Sequence, residues 1–319
     1  MARRLPKYYP DTTSYRGYRS DFIDPERLVP LPDFSPSLQR ALVPMIDTEQ
    51  VEIPYQNFSL FQHHTRRLAV LTAANIDGGS FWEITRQEVR HGTRSDKWYK
   101  DRRLPRTAQW GNQLYSAPRS DFDKGHLTKR EDVQWGPDHA TGLSGGRSTF
   151  FYTNAAPQHR DLNRRIWAKL EDYLLHDEAV ARGKRICLFT GPVLADNDPE
   201  FVTPIRGERM QLPTMFWKVI YYLKSDGELH RVAFLLGQAH LWRRDEIALF
   251  PRGAEPFADF EAASTYQVEV PTVEQLTGLT FASAHEVYQD PRPLALILSE
   301  VKGRGADAPV ETRIQNLRL

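Results

Sequence analysis

An acid, an ammonium, a glycine and a histidine stand in consecutive positions at Asp123-Lys124-Gly125-His126. An ordinary imidazole titrates near ~6.5, so it can accept a proton at neutral pH without large tuning. Asp123 could orient that ring or cap a turn. Lys124 could reach a phosphate, and Gly125 would let backbone approach a substrate closely. A second group follows at Asn154-Ala155-Ala156-Pro157-Gln158, and a third at Asn163 and Glu171. Asn163, Trp167 and Glu171 recur every fourth residue, which places them on one helix face. An amide oxygen and a carboxylate on one face can hold a hard cation and order its waters. Each of these residues also reads as ordinary structure: a packed histidine, a surface asparagine, a carboxylate paired with Arg164 or Arg165.

The elements that must position these groups are an α+β set. The runs QVEIPYQNFSLFQ and RRLAVLTAANID read as strands, closed by the Asp77-Gly78-Gly79 turn. RSTFFYTNAAPQ reads as a strand leaving into a loop. The segment from His159 to Gly183 predicts the longest helix, because Leu162, Ile166, Leu170 and Leu174 share one face and Gly183 suits its end. RICLFTGPVL reads as a buried strand holding Cys187 as a packed thiol. MFWKVIYYLK and HRVAFLLGQ read as a hairpin turning at Ser225–Glu228. VPTVEQLTGLTF closes the ordered core. An arm over 1–45, with local helix near Ser37–Leu42, precedes it, and a loose linker is expected beyond Lys302.

Composition narrows the classes. The chain has 319 residues, 40% hydrophobic and 26% charged. No stretch approaches the ~18 apolar residues of a membrane helix. A single cysteine excludes an internal disulfide framework and a cysteine-based zinc site. A formal charge of +1 excludes a globally basic nucleic-acid binder and leaves room for a local basic face. Residues 83–106 hold eight basic against four acidic side chains, and residues 254–319 hold five against ten. The first residues carry arginines but no apolar run follows, so a cytoplasmic location is expected.

Taken together, the motifs resemble the DNA/RNA non-specific endonucleases, the ββα-metal nucleases of Serratia and endonuclease G type. That pattern is Asp-Arg-Gly-His, a strand into Asn-x-x-Pro-Gln, an Asn nine residues on and a Glu eight further. Here the positions are 123–126, 154–158, 163 and 171. The texts RRLAVLTAANIDG, LFTGPV and VPTVEQLTGLTF are also similar to the family, so the likeness spans about residues 50–285. One departure is Lys124, where the family has Arg. An ammonium cannot make the planar two-point phosphate contact, which bears on rate more than on reaction type. Leu175 stands at a position that is sometimes basic in relatives.

The resemblance implies a ββα-metal nuclease fold with a central antiparallel sheet and the site on a strand-loop-helix unit. The nuclease domain would span 46–290, with the arm before it and a tail over 291–319. It implies a phosphodiester hydrolase acting on DNA, with RNA open, without sequence preference, leaving 5′-phosphate and 3′-hydroxyl ends. His126 would be the general base and Lys124 a phosphate-facing charge. Asn163 would bind Mg²⁺ or Mn²⁺ directly, and Glu171 and Asn154 would hold its waters. Arg94, Arg102 and Arg103 are candidates for a second phosphate-binding arginine. Trp98, Tyr99, Trp110 and Tyr115 could stack bases or fill the core. No membrane partner is expected. A homodimer and a regulatory or inhibitor partner stay open. Two alternatives remain: a nucleic-acid-binding relative with weakened catalysis, and a phosphodiesterase acting on small nucleotides.

Overall fold

The computed structural model describes residues 6–160, 166–250, 265–302 and 310–319. The strands named below are, in chain order, β1 (Ile53–Tyr55), β2 (Phe58–Gln62), β3 (Ala69–Asp77), β4 (Phe122–His126), β5 (Ala155–His159), β6 (Arg185–Val193), β7 (Met215–Leu223), β8 (Leu229–Gly237), β9 (Thr265–Val268), β10 (His285–Glu286) and β11 (Leu294–Ala295). The helices used below are α1 (Arg86–Val89), α2 (His139–Ser148), α3 (Ile166–Asp172) and α4 (Val270–Thr277). The large sheet runs β11–β9–β8–β7–β6–β3–β2–β1, with β10 beside β8. All its neighbours are antiparallel except β8 and β10.

The central strands lack polar alternation because both their faces are covered. Every residue of β3 is buried, and nearly all of β6 and β7. A strand covered on two sides reads as a continuous apolar run. One face packs Tyr55, Leu188, Phe216 and Ile220 against Leu170, Leu174 and Leu175 of α3 and its extension. Each such leucine removed from water contributes roughly 2 kcal/mol. The other face packs Phe189, Trp217 and Tyr221 against Val273 of α4 and Tyr18, Phe22 and Val29 of the arm. Cys187 lies inside this layer, and burial pushes its thiol up to about 12, so it is inert.

Beyond Asp172 the helix widens over Tyr173–Val180, where Ala181 N–H donates to the His176 carbonyl five residues back. Gly183 then takes φ +60, the left-handed conformation its helix-end position calls for. Gly227 does the same at φ +80 in the β7–β8 hairpin.

Three expectations change. Arg147 and Ser148 finish α2, and the strand begins only at Ala155. The helix HATGLSGGRS is hidden in the sequence by its glycines. They are there for packing: a Cβ on Gly145 would lie 1.9 Å from the Val133 carbonyl. The helix near the arm's end runs Pro36–Arg40, capped by Ser35. The end of the chain is a hairpin rather than a loose linker, since Leu298–Lys302 pairs with Val310–Ile314; residues 303–309 lie outside the described residues. Asn316 and Gln267 tie the last residues to the sheet edge, through Asn316 Nδ2 to Ala295 O (2.7 Å) and Gln267 Nε2 to Arg318 O (2.7 Å). Among the described residues, no helix is long and apolar enough to cross a membrane.

Candidate active site

Strands β4 and β5 form their own two-stranded ribbon, with His126 opposite Ala155 and Lys124 opposite Pro157. Side chains alternate along a strand, so Lys124 and His126 share a face. Gly125 between them is required by the partner strand: a Cβ there would lie 2.1 Å from Gln158 Oε1. The space this glycine leaves open, expected to admit a substrate, is taken by the Gln158 side chain.

His126 opens into a cleft of about 550 Å³ lined by Arg86, Asp96, Lys124, Arg130, Glu131 and Glu171 among others. The ring is half-buried. Trp98 packs on it at 4.7 Å between centroids, and Phe150 meets it edge-on at 4.9 Å. Burial, then the nearby Arg86 and Arg130 charges, push the imidazole down to about 3 against a smaller opposing pull from Asp96. The ring is therefore neutral at physiological pH. Its Nε2 is sheltered and finds no hydrogen-bond partner among the described residues. A buried polar atom without a partner is costly, and such atoms mark sites that receive a ligand or a proton.

The cleft carries four cations (Arg86, Lys124, Lys129, Arg130) and four carboxylates (Asp96, Asp123, Glu131, Glu171). It has no net charge, unlike the basic face that residues 83–106 suggest. Arg86 opens α1, whose start is fixed by a reciprocal Thr85–Glu88 cap. The loop after α1 folds back, and Asp96 accepts from Arg86 Nε and Nη2 at 3.2 and 2.5 Å and from Arg90 Nε at 2.6 Å. Burial pushes the Asp96 carboxyl up, but these bonds outweigh it and hold it at about 2. Lys129 bridges Glu131 (3.3 Å) and Asp172 (2.7 Å), and Arg130 pairs with Glu131. Lys124 sits 5.4 Å over the Tyr115 ring, and burial lowers its ammonium against the pull of Asp96 and Asp123.

Glu171 meets Lys218 of β7, with Nζ 3.0 Å from its Oε1. Lys218 is fully buried. Alternation along β7 turns it, like Phe216 and Ile220, toward α3. Asp132 is buried in the same place, and desolvation raises its carboxyl to about 7 although Lys129 pulls it down.

The structure brings His126, Lys124 and Glu171 to one cleft. Asn163 lies outside the described residues. Asn154 does not play the part expected of it. It is fully buried, and its amide accepts from Thr128 N (2.9 Å) and donates to the Thr128 and Thr149 carbonyls (3.0 and 3.1 Å). It clamps the chain just after His126 instead of reaching a metal's waters. The arginine candidates are corrected too. Arg103 is committed to Asp101, the Pro54 carbonyl and the Tyr55 ring. Arg102 is exposed and lies over the Tyr9 ring at 5.5 Å. Arg94 is exposed and is not on the cleft wall. The guanidinium in the cleft upstream of His126 is that of Arg86, which the sequence showed only as one of eight basic residues. Lys218 carried a clearer signal: a lone charge inside the apolar run MFWKVIYYL. Of the aromatic candidates, Trp110 is buried with its Nε1 on the Arg66 carbonyl, and Tyr99 packs against Tyr9 and Phe151. Trp98 faces the cleft, and Tyr115 lies under Lys124.

Hard oxygen donors are present for a divalent ion. Glu171 lines the cleft, and a carboxylate has about four lone-pair sites, so the Lys218 bond leaves capacity for an ion or its water. A second group, Glu131, Asp172 and His176, has one ligand atom each within 4.8 Å of the others. The Lys129 ammonium already bridges its two carboxylates.

A histidine-bearing ribbon facing a carboxylate-bearing helix, both laid on an antiparallel sheet, is a ββα architecture. A solved structure shares the fold: endonuclease G in the EndoG/EndoGI complex aligns with a TM-score of 0.53 at 18% identity, covering 73% of this chain and 86% of that one. Residues 43–287 match the DNA/RNA non-specific endonuclease family, and the chain belongs to that family. The uncharacterized protein y4fB of Sinorhizobium fredii is 30% identical over 298 residues, 88% of this chain and 41% of that protein. A nuclease of Nostoc is 30% identical over 206 residues, 63% of this chain and 65% of its own. Human mitochondrial endonuclease G is 26% identical over 152 residues, 46% of this chain and 47% of its own. The chain thus spans between 41% and 65% of the length of these curated relatives.

Proposed function

We propose that this chain is a metal-dependent endonuclease that hydrolyses phosphodiester bonds of DNA, and of RNA as a second substrate, without regard to sequence. The observation that carries the reading is the His126 ring: neutral, clamped between Trp98 and Phe150, with an unpartnered Nε2 in a cleft that also holds Arg86 and Lys124. A neutral imidazole can take the proton of a water attacking phosphorus in line. Lys124 and Arg86 hold the non-bridging phosphate oxygens. Asn154 fixes the backbone that follows the base, through Thr128. Glu171 and, by sequence, Asn163 would hold Mg²⁺ or Mn²⁺, which supplies positive charge for the phosphate and for the departing 3′ oxygen. The ends produced are then 5′-phosphate and 3′-hydroxyl. Phosphate contacts fix position without reading bases, which supports non-specificity. The structural neighbour is endonuclease G held in an inhibitory complex with EndoGI, and that likeness supports a protein inhibitor for this chain as well.

Plasmid nicking tests the reading. Cleavage with Mg²⁺ or Mn²⁺ that stops on adding a chelator is the expected result, and Asn163→Ala should lose both rate and metal response. Binding of plasmid with no chelator-sensitive cleavage at micromolar protein would favour the nucleic-acid-binding alternative.

A further inference from the structure

Asp96 stands on the cleft wall beside a cation that a substrate would need. It takes Arg86 through both carboxylate oxygens, at Nε (3.2 Å) and Nη2 (2.5 Å). That two-point fork is the geometry by which a guanidinium grips a phosphate. From these contacts we infer that Asp96 is a resident competitor for the phosphate seat on Arg86, and that it restricts the site to polyanionic chains and against single small phosphodiesters. The inference rests on the nuclease reading above and names its substrate class.

Three features support it. First, Asp96 has a second partner to fall back on. Arg90 Nε donates to the same carboxylate at 2.6 Å, and Arg90 is not on the cleft wall. A phosphate can displace Asp96 from Arg86 without leaving the acid unpaired, so the exchange is feasible. Second, the exchange alone gains little. One guanidinium–carboxylate pair is replaced by one guanidinium–phosphate pair of the same geometry and charge type. Third, the neighbouring cations are matched as well: Lys129 with Glu131 and Asp172, and Arg130 with Glu131. Before a divalent ion is bound, a lone diester therefore meets a cleft of four cations and four carboxylates that carry no net charge. A polymer brings flanking phosphates and releases condensed counterions as they are neutralised, and that surplus drives Asp96 aside. Asp96 sits in a loop held in place by its neighbours: Tyr99 N–H donates to Phe150 O (3.0 Å) and Tyr152 N–H to Tyr99 O (2.9 Å).

Asp96→Asn keeps the shape and removes the charge. With bis(4-nitrophenyl) phosphate, the variant should lower KM by ~10-fold with kcat retained, while kcat/KM on plasmid changes by less than ~3-fold. Asp96→Glu should return KM toward the wild-type value. An unchanged or raised KM, or an equal fall of kcat on both substrates, overturns the proposal and makes Asp96 a mere holder of Arg86. Binding of fluorescein-labelled oligonucleotides in chelator separates this from the nuclease reading, because it needs no hydrolysis. If nothing is cleaved but Asp96→Asn tightens dinucleotide binding, the competitor role stands and the nuclease reading falls. If cleavage proceeds and dinucleotide binding does not tighten, the reverse holds. Should Asp96→Asn fail to fold by thermal melting, the wild-type protein decides: a twelve-nucleotide strand should bind at least ~100-fold tighter than a dinucleotide, and an affinity rising only in proportion to length overturns the proposal.

Discussion

The proposed role of His126 as general base needs an unprotonated ring at neutral pH, and the ring is neutral because Trp98 and Phe150 shelter it while Arg86 and Arg130 oppose a further positive charge. Its neighbour two residues back raises a separate question of grip. Lys124 offers a point charge where a guanidinium would offer a fork. The Tyr115 ring beneath it is a surface on which an arginine can also lie. Lys124→Arg should therefore keep or raise kcat/KM on plasmid, and a loss greater than ~10-fold would show that the seat is shaped for an ammonium. At this scale the sequence pointed to residues that the fold brings to one cleft. Asp123 to His126 and Glu171 all line the cleft except Gly125, whose role is steric. It could not tell which way a side chain faces. Asn154 stands in the right motif, yet its amide is spent on Thr128 and Thr149. Arg86 was hidden as one of eight basic residues in 83–106 because only the folded-back loop brings it to His126.

The elements act as a clamp of three parts. The β4–β5 ribbon presents His126 and Lys124, α3 presents Glu171, and the loop after α1 supplies Asp96 and Trp98. What fixes α3 against the sheet is more than its leucines. Lys218 on β7 is fully buried and pairs with Glu171 at 3.0 Å, which locks the helix's turn against the strand. Removing Lys218 leaves the largely buried Glu171 carboxylate without this cation, at a cost of about 3 kcal/mol. Lys218→Met should lower urea stability by about that amount and also reduce plasmid cleavage at temperatures where the variant is fully folded. Stability lost with activity intact would make the pair purely structural. The long strands, the β7–β8 hairpin and the helix ending at Gly183 were legible because burial and turn residues mark them locally. The helix α2 was not, since its glycines serve a close contact with Val133 that no local pattern reveals.

Over the whole molecule, charge is balanced by position instead of by excess. The cleft is neutral overall, and two groups, His126 in its wall and the buried Asp132 nearby, respond to pH with opposite signs. His126 is held at about 3 against an ordinary ~6.5. Its unfolded form binds a proton that the folded form refuses, so stability is lost as pH falls through that window. Asp132 is raised to about 7 from an ordinary ~3.9. Its contribution is present at low pH and is lost as pH rises through 7. Asp132→Asn should thus raise the melting temperature relative to wild type by ~2 °C or more at pH 8, by a smaller amount at pH 5.5 and by little below about pH 4; a gain that does not grow with pH would contradict the assignment. The α+β class was readable from the run of strands and the long helix, whereas the antiparallel sheet was expected only through the family resemblance. The packing of the arm on the core was expected, but its anchors Tyr18 and Phe22 were not, because they meet the sheet across a long stretch of sequence; the tail pairing was missed although its two strands are close in sequence. In the proposed reading the imidazole takes the proton, and one comparison tests that directly: plasmid cleavage by wild type and His126→Ala at saturating Mg²⁺, both confirmed folded. A loss of ~10²-fold or more in rate with substrate binding preserved is expected. Cleavage within a few-fold of wild type would mean that another group takes the proton.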